Sequence, residues 1–561
     1  MIMRKFVITT TIMKMTSPLF LAYIILILFS VIRVDSLLMS PSHGYLIQPS
    51  LSLYSSYHYS DAAHNNNDNF LSKLFAQQNN GNEKENIPDI QSLRNDIRKW
   101  SRVRSPRGPE EAAHALRLMF RYYNPKNQNK HTKLEGRHNS SRPTVDVVDC
   151  NIVINAWSKS WNENAPKQAL ALLNGVIAVY KVNNNSCIRP NVITYTNVIN
   201  AYARRGEVMM AEEVFKMQLN DFKNEHNSQA KPNLITFNTM IDAYSKSNRD
   251  DIPEKAEQLL HTINKWFLRG DLEVPPDVIT YSGVINCWSK SNRPESASRA
   301  LAILETMIAK YKEDGNTFIN NNIRPNAITY NSVMSAYAKQ GDIEGVNKIF
   351  NMMQTDCDSD GINLSPNMWS YNIIIDAWSK SNAMNAPEEA ESLLTEMIYL
   401  YSIGKLEKGP DAITYTIVIN CWSKSNRPEG PSRAINILET MIAKYKEDGN
   451  VNKDIRPNTI TYSTVMDAYA RQGDIVGANR VFTMMTEDYN SGNNNSKPKT
   501  RTYNTIINAW SKSNNPNAPM EAESLLIEMI DLSAKEELED GPGTITYNAV
   551  INCWSKSNRP E

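Results

Sequence analysis

The stretch Thr194-Tyr195-Thr196-Asn197-Val198-Ile199-Asn200-Ala201-Tyr202 decides the fold, because near copies of it recur along the chain. We number each copy from three residues before its first aromatic, a slot that Cys150 fills in the first copy. Units then begin at Val147, Val192, Leu234, Val278, Ala327, Met368, Ala412, Thr459, Thr500 and Thr544. Nine units run 41 to 49 residues, and the tenth runs out at Glu561. A sustained period of this size is the signature of a repeat array, in which each unit buries its apolar face against its neighbours. Every third unit is closest in sequence. The block Ile-Leu-Glu-Thr-Met-Ile-Ala-Lys-Tyr-Lys-Glu-Asp-Gly-Asn stands whole at 303–316 and again at 437–450, as duplication of three-unit blocks would leave it.

Each unit reads as two helices. In the copy from Val278 the first spans Val278–Lys290, and Asn292-Arg293-Pro294 breaks it. The second begins near Glu295, with Ala300, Ile303, Leu304, Met307 and Ile308 at helical spacing. Shorter units use Gly206, Gly341 and Gly473 as the break. A degenerate capping unit is expected over 89–146, with Ile90–Arg102 and Glu110–Tyr122 as its helices and Trp100 at the later aromatic slot. The expected fold is an all-α solenoid of helix-turn-helix repeats over 147–561.

Ahead of the array, residues 1–36 carry basic residues and then the apolar run Leu19–Ile32, a length that suits a signal segment better than a membrane span. The acid-free stretch Leu37–Ser60 then resembles the second part of a secondary-plastid presequence. A plastid or mitochondrial address is expected, with secretion or a single-pass anchor in the endoplasmic reticulum as the alternatives. Residues 37–88, Ser-rich and then Asn-rich, read as a disordered linker.

Lys plus Arg equals Asp plus Glu at 60 each, so net charge points to no partner and only the placement of charge can. None of the six cysteines forms a C-x-x-C pair, which removes zinc-ribbon and thioredoxin readings. Cys287, Cys421 and Cys553 stand where other units have Ala, so they read as small packing residues. Asp356-x-Asp358-x-Asp360-Gly361 opens like a calcium loop, yet Asn367 occupies the place of the required Glu, and an acidic turn in an inter-repeat loop is expected instead. There is no P-loop, H-E-x-x-H or G-x-S-x-G, so neither catalysis nor a cofactor is expected.

Unit positions 1, 4, 7, 8 and 11 share one side of the first helix at 100° per residue. Position 11 is Trp or Tyr in all ten units and is read as core. Positions 2, 5, 9 and 13 gather on the opposite side. Position 5 is Asn151, Thr196, Asn238, Ser282, Asn331, Asn372, Thr416, Ser463, Asn504 and Asn548. Position 13 is Lys159, Arg204, Lys246, Lys290, Lys339, Lys380, Lys424, Arg471, Lys512 and Lys556. Position 2 is mostly Ile. Short hydrogen-bonding side chains, aliphatics and cations in adjacent rows match the base edges, base faces and phosphates of single-stranded RNA. The alternative for the cations is a solvated face favoured by the helix macrodipole, and the alternative for the whole groove is a scaffold for processing factors or other proteins.

These residues, with Arg189-Pro190-Asn191-Val192-Ile193-Thr194-Tyr195-Thr196 and Lys231-Pro232-Asn233-Leu234-Ile235-Thr236-Phe237-Asn238 at the unit boundaries, resemble the pentatricopeptide-repeat family. The resemblance covers about 147–561. It implies a right-handed superhelix, a monomer that reads one nucleotide per unit through the fifth and last residues, and a role in organellar transcript processing, stability or translation. The last residues are Asn191, Asn233, Asp277, Asn326, Asn367, Asp411 and Asn458, followed by Lys499 and Gly543, which fall outside the family's usual pairings. Position 13 is associated there with phosphate contact and position 2 with clasping the base. These units carry six to fourteen residues more than the family's usual length of about 35, and the addition falls in the second helix and return loop.

Overall fold

The computed structural model describes residues 88–556 apart from 124–143, 184–185, 314–321, 361–364, 382, 448, 450–451 and 514. The address segment, most of the linker and the sequence after Lys556 lie outside the described residues. Among the described residues every regular element is helical, and no helix is long and apolar enough to cross a membrane.

The first helices are Val147–Lys159, Val192–Ala203, Leu234–Ser245, Val278–Lys290, Ala327–Lys339, Met368–Lys380, Ala412–Lys424, Thr459–Gln472, Thr500–Lys512 and Thr544–Lys556. Their starts are set by sequence chemistry. At all nine boundaries between units a proline stands just before the last residue of the unit, and that last residue is the N-cap of the next first helix. Asn191 is extended (φ −123°), its side chain accepts from the Thr194 N–H, and the Thr194 hydroxyl returns to the cap backbone. A cap of this kind satisfies helix-end N–H groups that have no partner within the helix. Asp277, Asn326, Asn367, Asp411 and Asn458 repeat it. At the other end, Gly206, Gly341 and Gly473 take φ near +70° where the chain turns into the second helix.

Second helices such as Ala165–Asn183, Ser296–Glu313 and Gly430–Glu447 pack on their own first helix and on the next one, while first helices stack on one another along the array. One alanine in eight of the nine second helices (Ala169, Ala211, Ala256, Ala300, Ala390, Ala434, Ala478, Ala522) is fully buried and lets the backbones approach, and Val346 is equally buried in Ile343–Asp360. Leu173, Leu304 and Leu438 are equally buried, and each side chain contributes roughly 2 kcal/mol by leaving water. The position-4 tyrosines other than half-buried Tyr547 are buried too, with a hydroxyl that needs a partner. Tyr195 donates to Asp221 (3.0 Å), Tyr371 to Glu396 (3.1 Å) and Tyr503 to Glu528 (2.9 Å), tying first helix to second. At position 11, Trp288 and Trp422 are buried and reach back to Glu257 and Glu391 of the preceding unit. Cys287, Cys421 and Cys553 are buried free thiols at the helix contacts.

Two elements differ from the sequence reading. The segment with the calcium-loop spacing is not a turn. The helix Ile343–Asp360 runs through its three aspartates, and Asp356 accepts the hydroxyl of Tyr330 from inside that helix. The capping unit consists of Ile90–Trp100 and Arg107–Tyr123, so its second helix starts three residues earlier than expected. Proline is tolerated in a first turn, and Pro109 sits there rather than marking the boundary.

Candidate nucleic-acid interface

The exposed side of the stacked first helices carries three rows. Position 2 stands furthest into solvent: Val148, Ile193, Ile235, Ile279, Ile328, Trp369, Ile413, Ile460 and Ile545 are each between 52% and 73% exposed, and only Arg501 interrupts the apolar series. Single exposed aliphatics mean little, but nine at one register position form a stripe that folding leaves uncovered.

Position 5 lies deeper than a helical wheel implies. Asn151, Asn372 and Ser463 are buried, and Thr196, Asn238, Ser282, Asn331, Thr416 and Asn504 are half-buried between stacked helices, whereas Asn548 in the last unit is exposed. Each of the others bonds forward into the next unit. The hydroxyls of Thr196, Ser282, Thr416 and Ser463 pair with the position-3 hydroxyls of Thr236, Thr329, Thr461 and Thr502 at 2.8, 2.7, 2.8 and 3.2 Å. The amide oxygens of Asn238, Asn331, Asn372 and Asn504 accept from Thr280, Ser370, Thr414 and Thr546 at 2.7 to 2.8 Å. The amide nitrogens of Asn151, Asn238 and Asn331 donate to the caps Asn191, Asp277 and Asn367 at 3.2 to 3.4 Å. In these three units the fifth and last residues therefore meet within hydrogen-bond distance. The Nδ2 of Asn372 and the Oδ1 of Asn151 are buried without a partner.

Capping also fixes which atom of each last residue stays available. Asp277 and Asp411 use Oδ1 for the Thr280 and Thr414 N–H groups (2.9 Å each), leaving Oδ2 as an acceptor. Asn191, Asn233, Asn326, Asn367 and Asn458 likewise cap through Oδ1, leaving the amide N–H groups as donors. Lys499 makes no side-chain cap and reaches Glu539 instead, and Gly543 has no side chain.

The position-13 cations are all exposed but not equivalent. Lys246, Lys380 and Arg471 pair with the position-9 acids Asp242, Asp376 and Asp467 one turn earlier, at 2.5, 2.5 and 2.9 Å. Arg204, Lys290, Lys339 and Lys556 donate to the carbonyls of Ser158, Ser245, Ser289 and Ser511, at the C-terminal end of the preceding first helix. That contact suits the negative end of the helix dipole, so part of the row serves the stack. Lys159, Lys424 and Lys512 have no side-chain partner among the described residues. Partial burial and the neighbouring charges of Lys380 and Lys290 hold the Lys339 ammonium below the usual lysine range. Lys290, Lys339 and Lys380, in three successive units, thus stand close enough to feel one another's charge. The sequence reading missed the position-3 hydroxyls and the position-9 acids, although a polar residue at N3 and Asp four residues before Lys are both legible patterns.

A cavity of about 350 Å³ opens on this face across three units. Asn238 and Ser282 at position 5, Ile279 and Ile328 at position 2, and the cap Asn326 line it. Gly283 at position 6 has no room for a Cβ, which would meet Ile241 Cγ2 at 2.5 Å.

Residues 180–247 and 448–513 match the pentatricopeptide repeat domain, and residues 325–380 match the PPR repeat family. No curated protein sequence matches the chain. Among solved structures, the chain is similar to the pentatricopeptide repeat protein PPR10 in complex with an 18-nt psaJ RNA element and to a triple Cys-to-Ser variant of it in the same complex. Each shows 19% identity and a TM-score of 0.33, covering 88% of this chain and 55% of that one. The chain thus spans little more than half the length of those proteins.

Proposed function

The chain is a pentatricopeptide-repeat protein, and on that premise we propose that it binds single-stranded RNA along its first helices, one nucleotide per unit. The observation that carries this reading is the joint run of exposed aliphatics, half-buried polar pairs and cations through successive units. A base lies flat between successive position-2 side chains, its edge reaches the position-5 and cap residues, and its phosphate meets position 13.

The caps supply the discrimination. Asp with its free Oδ2 accepts the N3–H of uracil, whereas Asn with free N–H groups donates to a ring nitrogen of adenine or cytosine. A wrong base leaves a polar group unpaired, and that is how hydrogen-bonded sites discriminate. From the unit at Val147, 5′ to 3′, the register is pyrimidine, A, U, A, pyrimidine, U, A. The next two steps are unassigned, in keeping with Lys499 and Gly543. The biological role we propose is to present an organellar transcript to processing or translation factors, with the array itself performing no chemistry.

Titration of the chain with pools of single-stranded RNA at moderate salt tests the reading. Binding below micromolar is expected. Its absence would leave a protein-binding scaffold as the better account of the same groove.

A further inference from the structure

The cationic row does not stop at the first full unit. If Trp100 is set at position 11, the capping helix Ile90–Trp100 falls into register: Ile90, Leu93 and Ile97 are buried at positions 1, 4 and 8, and Asp89 is the N-cap. Its position 13 is Arg102 and its position 5 is Arg94. Arg94 makes the same forward contact as the other position-5 residues, but as an ion pair, with Asp149 at position 3 of the next unit (3.1 Å) and with Asp146. The base-reading position of this unit is therefore closed, while its phosphate-type cation remains.

Beside it lies a cavity of about 590 Å³ lined by Arg102, Arg104, Lys159, Arg204 and Trp161, with no carboxylate in its wall. That composition is unusual for this chain, whose other arginines commonly meet acids, as Arg293 meets Glu254, Arg427 meets Glu388 and Arg456 meets Asp488. Between positions 94 and 107 there are six basic residues against the single acid Asp96. Trp161 is 77% exposed where most units have Asn in the break, and its loop is pinned. Arg204 holds the Ser158 carbonyl (3.2 Å) and stands 5.8 Å from the Trp161 ring centre, and Arg205 holds the Asn162 carbonyl (2.7 Å).

We propose that this corner binds one further nucleotide on the 5′ side of the register without regard to its base. Its phosphate is held by Arg102, Arg104 and Lys159, and its base is stacked on Trp161. A π-face is common to all four bases, and with Arg94 locked there is no side chain to read an edge. This inference rests on the RNA reading and its polarity, so the test separates the two.

The full chain is titrated with the register RNA alone and with that RNA extended at its 5′ end by U, A, C, G or an abasic phosphate spacer. The four bases should each tighten binding by about tenfold, the scale of one base–aromatic stack, and the spacer by less. Trp161→Ala should remove the advantage of bases over the spacer without altering the salt slope. Arg102→Ala with Arg104→Ala should remove the spacer's gain and lower the slope of log affinity against log salt by about 0.7 per lost contact. Register RNA that binds with no gain on extension, or a gain that survives both variants, overturns the proposal and leaves the array reading intact. A 5′ 4-thiouridine on oligo(U) gives a readout independent of the register. Photocrosslinking to the peptide bearing Trp161 is expected, and its absence overturns the proposal whatever the register RNA does.

Discussion

Replacing Asp242, Asp376 and Asp467 together with Asn should strengthen RNA binding. Each acid sits one turn before a position-13 cation and holds it at 2.5 to 2.9 Å, and both partners of every pair are between 36% and 46% exposed. Such exposed i,i+4 pairs stabilise a helix by about 0.3–0.5 kcal/mol each, so the triple variant should lose only about 1 kcal/mol of stability. The gain in binding is larger. Formal charge rises from zero to +3, and all of it appears on the proposed phosphate track. Counterion release from a single strand gives a slope of about 0.7 per cation, so the salt dependence should steepen by about 2 in total. At 0.1 M salt that corresponds to about fivefold per cation, and on the order of 100-fold for three as an upper bound. Fluorescence anisotropy with one RNA over a range of salt concentrations measures both quantities. The variant Glu344→Gln/Glu407→Gln/Glu521→Gln makes the same charge change on second helices and a return loop, and it controls for net charge. A triple-Asn variant with the parent's slope, or one no steeper than the control, would mean that these cations never meet the RNA backbone.

Five further outcomes are expected. Lys290→Ala, Lys339→Ala, Lys380→Ala and Lys424→Ala combined should weaken binding to all sequences alike and flatten the salt dependence, with Lys424 contributing most because it has no intramolecular partner to leave; an unchanged slope refutes the phosphate assignment. Asn372→Thr with Asp411→Asn should shift one step of a selected RNA consensus from U toward A, since the Thr196–Thr236 bond shows that the stack accepts Thr there; unchanged preference at that step refutes the register. Burial pushes the thiols of Cys287 and Cys421 up to about 12, so mass spectrometry after iodoacetamide at pH 8 should find exposed Cys187 modified and those two untouched. Because both sit above their unfolded values, the stability they contribute is complete below about pH 8.5 and falls as pH rises toward 12, which urea melts across that range will show. Residues 1–88 fused to a fluorescent protein should enter an organelle; a diffuse cytosolic signal refutes the proposed address, and a stable rim of endoplasmic reticulum favours the anchor.

The first helices were legible almost to the residue, because Pro-Asn or Pro-Asp fixes seven of the ten starts and Gly or Asn-Arg-Pro marks six of the breaks. The aromatic positions were legible as core for the same reason that any 3.6-residue period is. The depth of position 5 was not. A helical wheel treats one helix in isolation, whereas Asn372 is covered by Thr414 of the following unit, 42 residues away. Nor did the wheel separate Lys380, paired with Asp376, from Lys424, which is unpaired, although the Asp–Lys spacing was in plain view. Continuation of the helix through Asp360 was hidden by a motif written for loops.

The forward bond from position 5 to the hydroxyl of the next unit makes one set of atoms serve both as letter and as mortar. A side chain at this position must be short enough to fit between two backbones and polar enough to meet a Thr or Ser hydroxyl. Asn, Ser and Thr satisfy both demands, and they are the types found in all ten units. The usable alphabet is therefore small, and rewriting a letter while keeping the joint is confined to exchanges within it. A lineage that lengthens by copying three units at a time inherits working joints with every copy. It can then revise its target mainly at the capping residue, where Asp and Asn exchange an acceptor for a donor with the cap bond kept.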